Sequence, residues 1–406
     1  MIKNVIKHIR AVCVALTLIG APLASLVMPG VVHAAGGGTF TWSGGGGDGN
    51  WSTGANWVGG TAPQTGDVGD TVIIDNAATF TFGSTDDLAS LSLASLKFVG
   101  DGATVNNIAL AHPLTITGDI NQDASDTTTK DTIENSGSTQ TITIGGNVTV
   151  TSTAGLIFGG STAYTIAIDN GNTLTFTDTG APNIVALIDN ITNTSGSASV
   201  TYNGSQSQYQ ISGNNTYAGT TNVQSTFSLA GGVVVLTANP FGTSTVNVSN
   251  TGNIEFQSNI SSLNNTVVVA GSSSTQPPVS LNWGDLLTGS FTIPNIVLNG
   301  NAQFSNDAAG NLTIDLSGIT SNGFCILYSN TNDPTSLGAS ANSFTGGPTD
   351  CSSGGTVAPA AAAAAPKTPD TGLALAAAHP AETVAFTLVA ASSILLVARR
   401  LKTAKH

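Results

Sequence analysis

Along much of this 406-residue chain, apolar and polar residues alternate one by one. Thr141-Ile-Thr-Ile144, Thr173-Leu-Thr-Phe176, Ser244-Thr-Val-Asn-Val248 and Leu312-Thr-Ile-Asp-Leu316 are examples. Thr71-Val-Ile-Ile-Asp75, Asn147-Val-Thr-Val150 and Thr266-Val-Val-Val269 are further short runs rich in β-branched residues. A period of two puts every second side chain on one face, the mark of a half-buried strand. Gly, Asn, Asp or Ser punctuates the gaps, as at Gly145-Gly146, Asp169-Asn-Gly-Asn172 and Asn250-Thr-Gly-Asn253. Strand starts are expected at Thr141, Asn147, Leu156, Tyr164 and Thr173. Such short, even spacing fits a sandwich, a barrel or a β-solenoid.

Two features favour the solenoid. The pattern runs on toward Cys351 with no helical segment and no strong boundary, and stacked rungs extend in this way because each buries only its neighbours' faces. The second feature is a resemblance. Ile211-Ser-Gly-Asn-Asn-Thr-Tyr-Ala-Gly-Thr-Thr-Asn-Val223 closely resembles the β-strand repeat of autotransporter passenger domains, and Leu236-Thr-Ala-Asn-Pro-Phe-Gly-Thr-Ser-Thr-Val-Asn-Val248 resembles the rung that follows it. Gly permits tight corners where φ is positive, and paired Asn can satisfy corner amides by stacking in ladders. The resemblance implies an all-β fold, a right-handed parallel β-helix over residues 76–352, with tandem β-sandwich domains as the alternative. That family often opens with a Trp/Gly module, and residues 35–75 hold Trp42, Trp51 and Trp57 among many Gly. The three Trp form either a cover for the open end of the solenoid or a platform on which sugar rings stack. The family's C-terminal membrane β-barrel has no counterpart here, so no self-export role is carried over.

Composition narrows the class. Only 8% of the residues are charged, and Gly totals 48. Helix-favouring Glu, Lys and Arg are scarce. Between Ala35 and Thr371 three basic residues (Lys97, Lys130, Lys367) face 22 acidic ones, a net charge of −19 with no Arg. A nucleic-acid partner needs a basic face and is excluded as an expectation. A soluble, self-repelling surface is the plain reading.

The two ends carry a different pattern. Lys3, Lys7 and Arg10 precede an apolar stretch at residues 11–23, and Val32-His33-Ala34 follows. This is the layout of a secretory signal peptide over residues 1–34, cleaved by signal peptidase between Ala34 and Ala35; an uncleaved N-terminal anchor is the alternative. At the other end, Ala and Pro fill a spacer at residues 353–367. Thr368-Pro369-Asp370-Thr371-Gly372 then precedes an apolar segment at about 383–398 and the basic tail Arg399-Arg400-Leu401-Lys402. This resembles the LPxTG cell-wall sorting signal, with Thr368 in place of Leu. The resemblance implies a transmembrane helix before processing, a sortase-type transpeptidase as partner, cleavage between Thr371 and Gly372, and attachment of Thr371 to the cell wall. An exosortase-type tail or a plain membrane anchor are the alternatives. All three place the protein at the cell surface.

Candidate chemistry is sparse. His112 is the only His between Ala35 and Thr371, so a His pair for zinc is missing and nucleophile–His units depend on that one residue. It sits beside Pro113 in an expected turn. Asp86-Asp87 is the only adjacent carboxylate pair; a solenoid polysaccharide-degrading enzyme would need such a pair to work together. Asp67 with Asp70, and Asp123 with Asp126, are oxygen-rich spots that read as solvated turns rather than calcium loops. No metal and no cofactor are expected. Cys325 and Cys351 form either a disulfide, in keeping with an extracellular location, or two free thiols. The expected function is a non-enzymatic, surface-anchored structural or adhesin-like protein that meets a host or cell-surface glycan or protein. A carbohydrate binder using the Trp platform and a solenoid enzyme are the alternatives.

Overall fold

The computed structural model describes residues 36–351, apart from 76–82, 101–106, 124–130, 160–163, 179–183, 188–189, 206, 225–231, 250, 258–259, 272–278, 285–286, 307, 309–311, 331–342 and 349–350. The leader with Ala34 and Ala35, the spacer and the sorting signal with Thr368–Gly372 lie outside the described residues.

The alternation read from the sequence becomes short strands with buried residues at every second position. Thr141–Ile144, Val148–Ser152, Leu156–Phe158, Thr165–Ile168 and Thr173–Asp178 follow one another along the chain, within a residue of the expected starts. These consecutive strands do not pair with one another. Each pairs instead, in parallel, with strands one turn of the chain away: Val148–Ser152 lies between Ile120–Gln122 and Thr173–Asp178. Among the described residues this winding makes sheets of 16, 11 and 3 strands. The molecule is a parallel β-solenoid. The sandwich alternative is set aside, because sandwich sheets are antiparallel and every named strand pair here is parallel.

The coil has three faces. Face two starts at Thr39–Trp42 and Val68–Asp75 and runs through Thr173–Asp178, Ala198–Asn203, Gly219–Val223 and Thr245–Ser249 to Ile319–Thr320. Face three stacks from Ser84–Asp86 to Ile326–Asn330. Face one begins with the first residues of the strand Leu91–Val99, which pair with Leu114–Ile116, while its later residues pair with Ile120–Gln122 on face two. The strand bends between these halves. Its buried–exposed alternation slips there: Ala94 and Ser95 are both half-buried, with Leu93 and Leu96 buried on either side.

Inward residues form columns along the coil. Val150, Phe176, Tyr202, Val223, Val248 and Val269 occupy matched positions on successive rungs of face two and are all buried. Phe176 and Tyr202 stack with ring centroids 5.5 Å apart and planes 9° from parallel. Dispersion between close-packed neighbours and removal of apolar surface from water stabilise such a column.

Face one loses its strands after Asn190–Asn193 and regains them at Gly289–Thr292. In the gap, Asn side chains supplement a few remaining backbone bonds, such as that from the Thr216 N–H to the Ile191 carbonyl. Asn215 Oδ1 accepts the Ile191 N–H at 2.7 Å, and Asn215 Nδ2 donates to the Pro240 carbonyl. Outside it, Asn190 Oδ1 accepts the Asn214 N–H, and Asn239 Nδ2 donates to Asn214 Oδ1. Two Gly of this segment are required by contact. Gly219 has φ 128° and Gly242 φ 55°; a Cβ would lie 2.0 Å from the Ala198 carbonyl oxygen in the first case and 2.3 Å from that of Tyr217 in the second. Within residues 211–248, Asn214, Asn215, Asn239, Gly219 and Gly242 thus fill the turning role expected for Asn and Gly.

Candidate functional site

The N-terminal end gathers a cluster of polar and aromatic groups. The segment after Thr39–Trp42 folds back over it: Val58 N–H donates to the Thr41 carbonyl, and Trp42 and Trp57 form an antiparallel bridge. Trp57 sits edge-on to Phe40, Trp42 and Trp51, with centroids 5.1 to 6.0 Å away. Trp42 is 1%, Trp51 0% and Trp57 2% exposed. Trp57 Nε1 donates to the Trp51 carbonyl, and Trp51 Nε1 to Ser84 Oγ on the first rung of face three. The three indoles that the sequence singled out are therefore brought together, but as packed core. Their faces are covered by one another, which is the geometry of the end cover; a sugar would have to displace them to stack.

Around the indoles, carboxylates tie the loop. Asp48 accepts from the Asn50 N–H, the Thr53 hydroxyl and Asn56 Nδ2, and its pKa lies below the ordinary value, chiefly through the Asn50 N–H and then Thr53. Asp87 binds the Ser52 N–H at 2.8 Å and its hydroxyl at 2.5 Å.

Asp86 behaves differently from its neighbour. It is fully buried. Oδ1 accepts the Leu88 N–H at 3.1 Å, while Oδ2 has no hydrogen-bond partner. Burial pushes its pKa up to about 7; the Leu88 N–H opposes this and the charge of Asp87 adds to it. One member of the pair faces the core and the other holds Ser52, so the two carboxylates do not share one accessible site.

Asp70 is also buried on the inward phase of its strand. It accepts the Gly38 N–H at 2.8 Å, and burial, more than the nearby Asp67, raises its pKa. Asp67 accepts the Gln64 N–H at 2.7 Å. Among the described residues no three His, Cys, Asp or Glu side chains gather as metal ligands. Asp123 is exposed, as is His112 at a corner before Leu114–Ile116, and Asp126 lies outside the described residues.

A second polar node escaped the sequence reading. Gln122 is buried. Its Oε1 accepts from the N–H groups of Thr153, Ala154 and Gly155 and from Ser152 Oγ; its Nε2 donates to Asp131 Oδ2 and to the Gly155 carbonyl. It satisfies the backbone where face two turns into face three. The available signal was phase: Gln122 stands two residues after Ile120, so it points inward, as Asp70 does two before Val72.

At the far end, Cys325 and Cys351 are bonded to each other, with Cα atoms 5.1 Å apart. The Cys351 N–H donates to the Ile326 carbonyl, so the crosslink clips the chain to the last strand of face three.

No protein-family model, no curated protein and no solved structure matches this chain.

Proposed function

We propose that this protein is a secreted, non-enzymatic β-solenoid held at the cell surface by its C-terminus, acting as a stalk or adhesin-like display. The observation that carries the reading is the parallel stack from Thr39–Trp42 to Ser343–Thr345, continuous on faces two and three, closed by a tryptophan cover at one end and a disulfide at the other. A solenoid gives length and repeated outer surface, because each rung needs only its neighbours. The disulfide suits an oxidising exterior, and the low, acidic charge suits a soluble displayed surface.

Several finer points belong to the same proposal. The winding is right-handed, as crossovers between parallel strands nearly always are. Residues 1–34 direct export, and signal peptidase removes them. The Ala/Pro spacer holds the coil away from the envelope, and a sortase-type enzyme joins Thr371 to the cell wall. The likeness of residues 211–223 and 236–248 to autotransporter passenger repeats supports an adhesin-like role, with a host or cell-surface glycan or protein as partner.

Display is tested by treating intact cells with a non-permeant protease and following the protein with an antibody against the solenoid. Loss of the signal before lysis is expected. Full protection until the cells are broken would exclude surface display.

A further inference from the structure

Face two carries a long uncharged outer surface on this acidic molecule, a character that face one shares over the shorter run from Leu114–Ile116 to Asn190–Asn193. From Val148–Ser152 to Thr245–Ser249 the outward positions of face two are Thr, Ser and Asn, with no charged and no aromatic residue. They align in columns. Thr149, Thr175, Thr201, Asn222 and Asn247 are register partners on successive rungs. Thr173, Ser199, Thr220 and Thr245 form a second column beside it. No register shift interrupts these pairings.

The geometry of a parallel sheet then fixes a grid. Neighbouring rungs lie ~4.8 Å apart, and same-face positions along a strand ~6.6 Å apart. Part of the grid is also held by side-chain hydrogen bonds. Ser199 and Thr220 share a hydrogen bond of 2.8 Å, Asn222 Nδ2 donates to Thr201 Oγ1 at 3.2 Å, and Asn247 Nδ2 donates to Asn222 Oδ1 at 3.2 Å. Below the grid, the nearly parallel Phe176 and Tyr202 rings support the same rungs.

We propose that this outer face of the solenoid binds ice. Hydroxyl and amide groups repeat in two directions at spacings close to the rows of water oxygens in hexagonal ice, and each Thr brings a methyl group beside its hydroxyl. Charged side chains, which bind water strongly in a non-ice arrangement, are absent from the grid. Rotamers fixed by the column hydrogen bonds lose little further freedom on contact, so less ordering entropy opposes binding. A sugar polymer fits less well, because the outward positions of the grid hold no aromatic ring to stack against. The inference is independent of how the chain is anchored.

The test uses the full chain in dilute solution. Thermal hysteresis is measured on a single ice crystal, and partition of the protein into slowly growing ice is followed. The wild-type protein is expected to shape the crystal and enter the ice. Thr175→Tyr and Thr201→Tyr, each placing a ring in the centre of the grid, are expected to abolish both effects with the circular-dichroism melt unchanged. Gln210→Tyr, outward on face three, is expected to keep them. Absence of hysteresis and of ice partition in the wild-type protein overturns the proposal, whether or not the variants fold. So does full activity in folded Thr175→Tyr and Thr201→Tyr, or retention on cellulose without any effect on ice.

Discussion

At the scale of single residues, the phase of a polar group decides its meaning. Asp86 and Asp87 are adjacent in the chain, yet one has a buried, half-satisfied carboxyl and the other a half-exposed one bonded to Ser52. Because Asp86 is raised to about 7 in the folded protein, it stays protonated there while the unfolded chain has already ionised above pH ~4. Folding therefore binds the extra proton, and stability falls as pH rises from about 4 to about 7, by up to about 4 kcal/mol. Asp86→Asn keeps the shape and removes the titration. Denaturant unfolding across pH 4–8 is expected to show the variant losing less stability than the wild type over that window and exceeding it above pH 7. Identical pH profiles would show that Asp86 ionises freely. The pair was visible in the sequence, but which member turned inward depended on register. Gln122 was harder still, since its partners Ser152, Thr153 and Gly155 come from the next turn of the coil.

At the scale of elements, alternation was legible because the strands are half-buried: Thr141–Ile144 and Thr173–Asp178 stand where the pattern put them. Which strands paired was not legible from alternation alone, since a period of two is the same in a sandwich and a solenoid. The irregular rung at Asn215 broke the pattern, and there the specific Asn and Gly positions carried more information than hydropathy. The tryptophan cover is the element most open to test. Trp51 is fully buried and bonded to Ser84, so Trp51→Ala leaves a cavity and an unpaired hydroxyl, costing about 3–5 kcal/mol. In a coil whose rungs touch only their neighbours, that loss stays local. Hydrogen exchange is expected to rise across Thr39–Trp42 and Val68–Asp75 and to remain unchanged from Ala198–Asn203 onward. Uniform loss of protection along the coil would mean that the rungs unfold as one unit.

For the whole molecule, the sequence and the structure bear on different parts. The solenoid is seen directly, and its repeated outer surface comes from the same Thr- and Asn-rich alternation that builds its core. The proposed export and anchoring signals are read from composition at the two ends, from their charge and apolar runs. The central claim, a solenoid displayed through a processed C-terminus, meets its most direct test in mass spectrometry of the protein released from the cell envelope. The account predicts an N-terminus at Ala35 and a C-terminus at Thr371 carrying a fragment of the wall. A chain still ending in Arg399–His406 would contradict it.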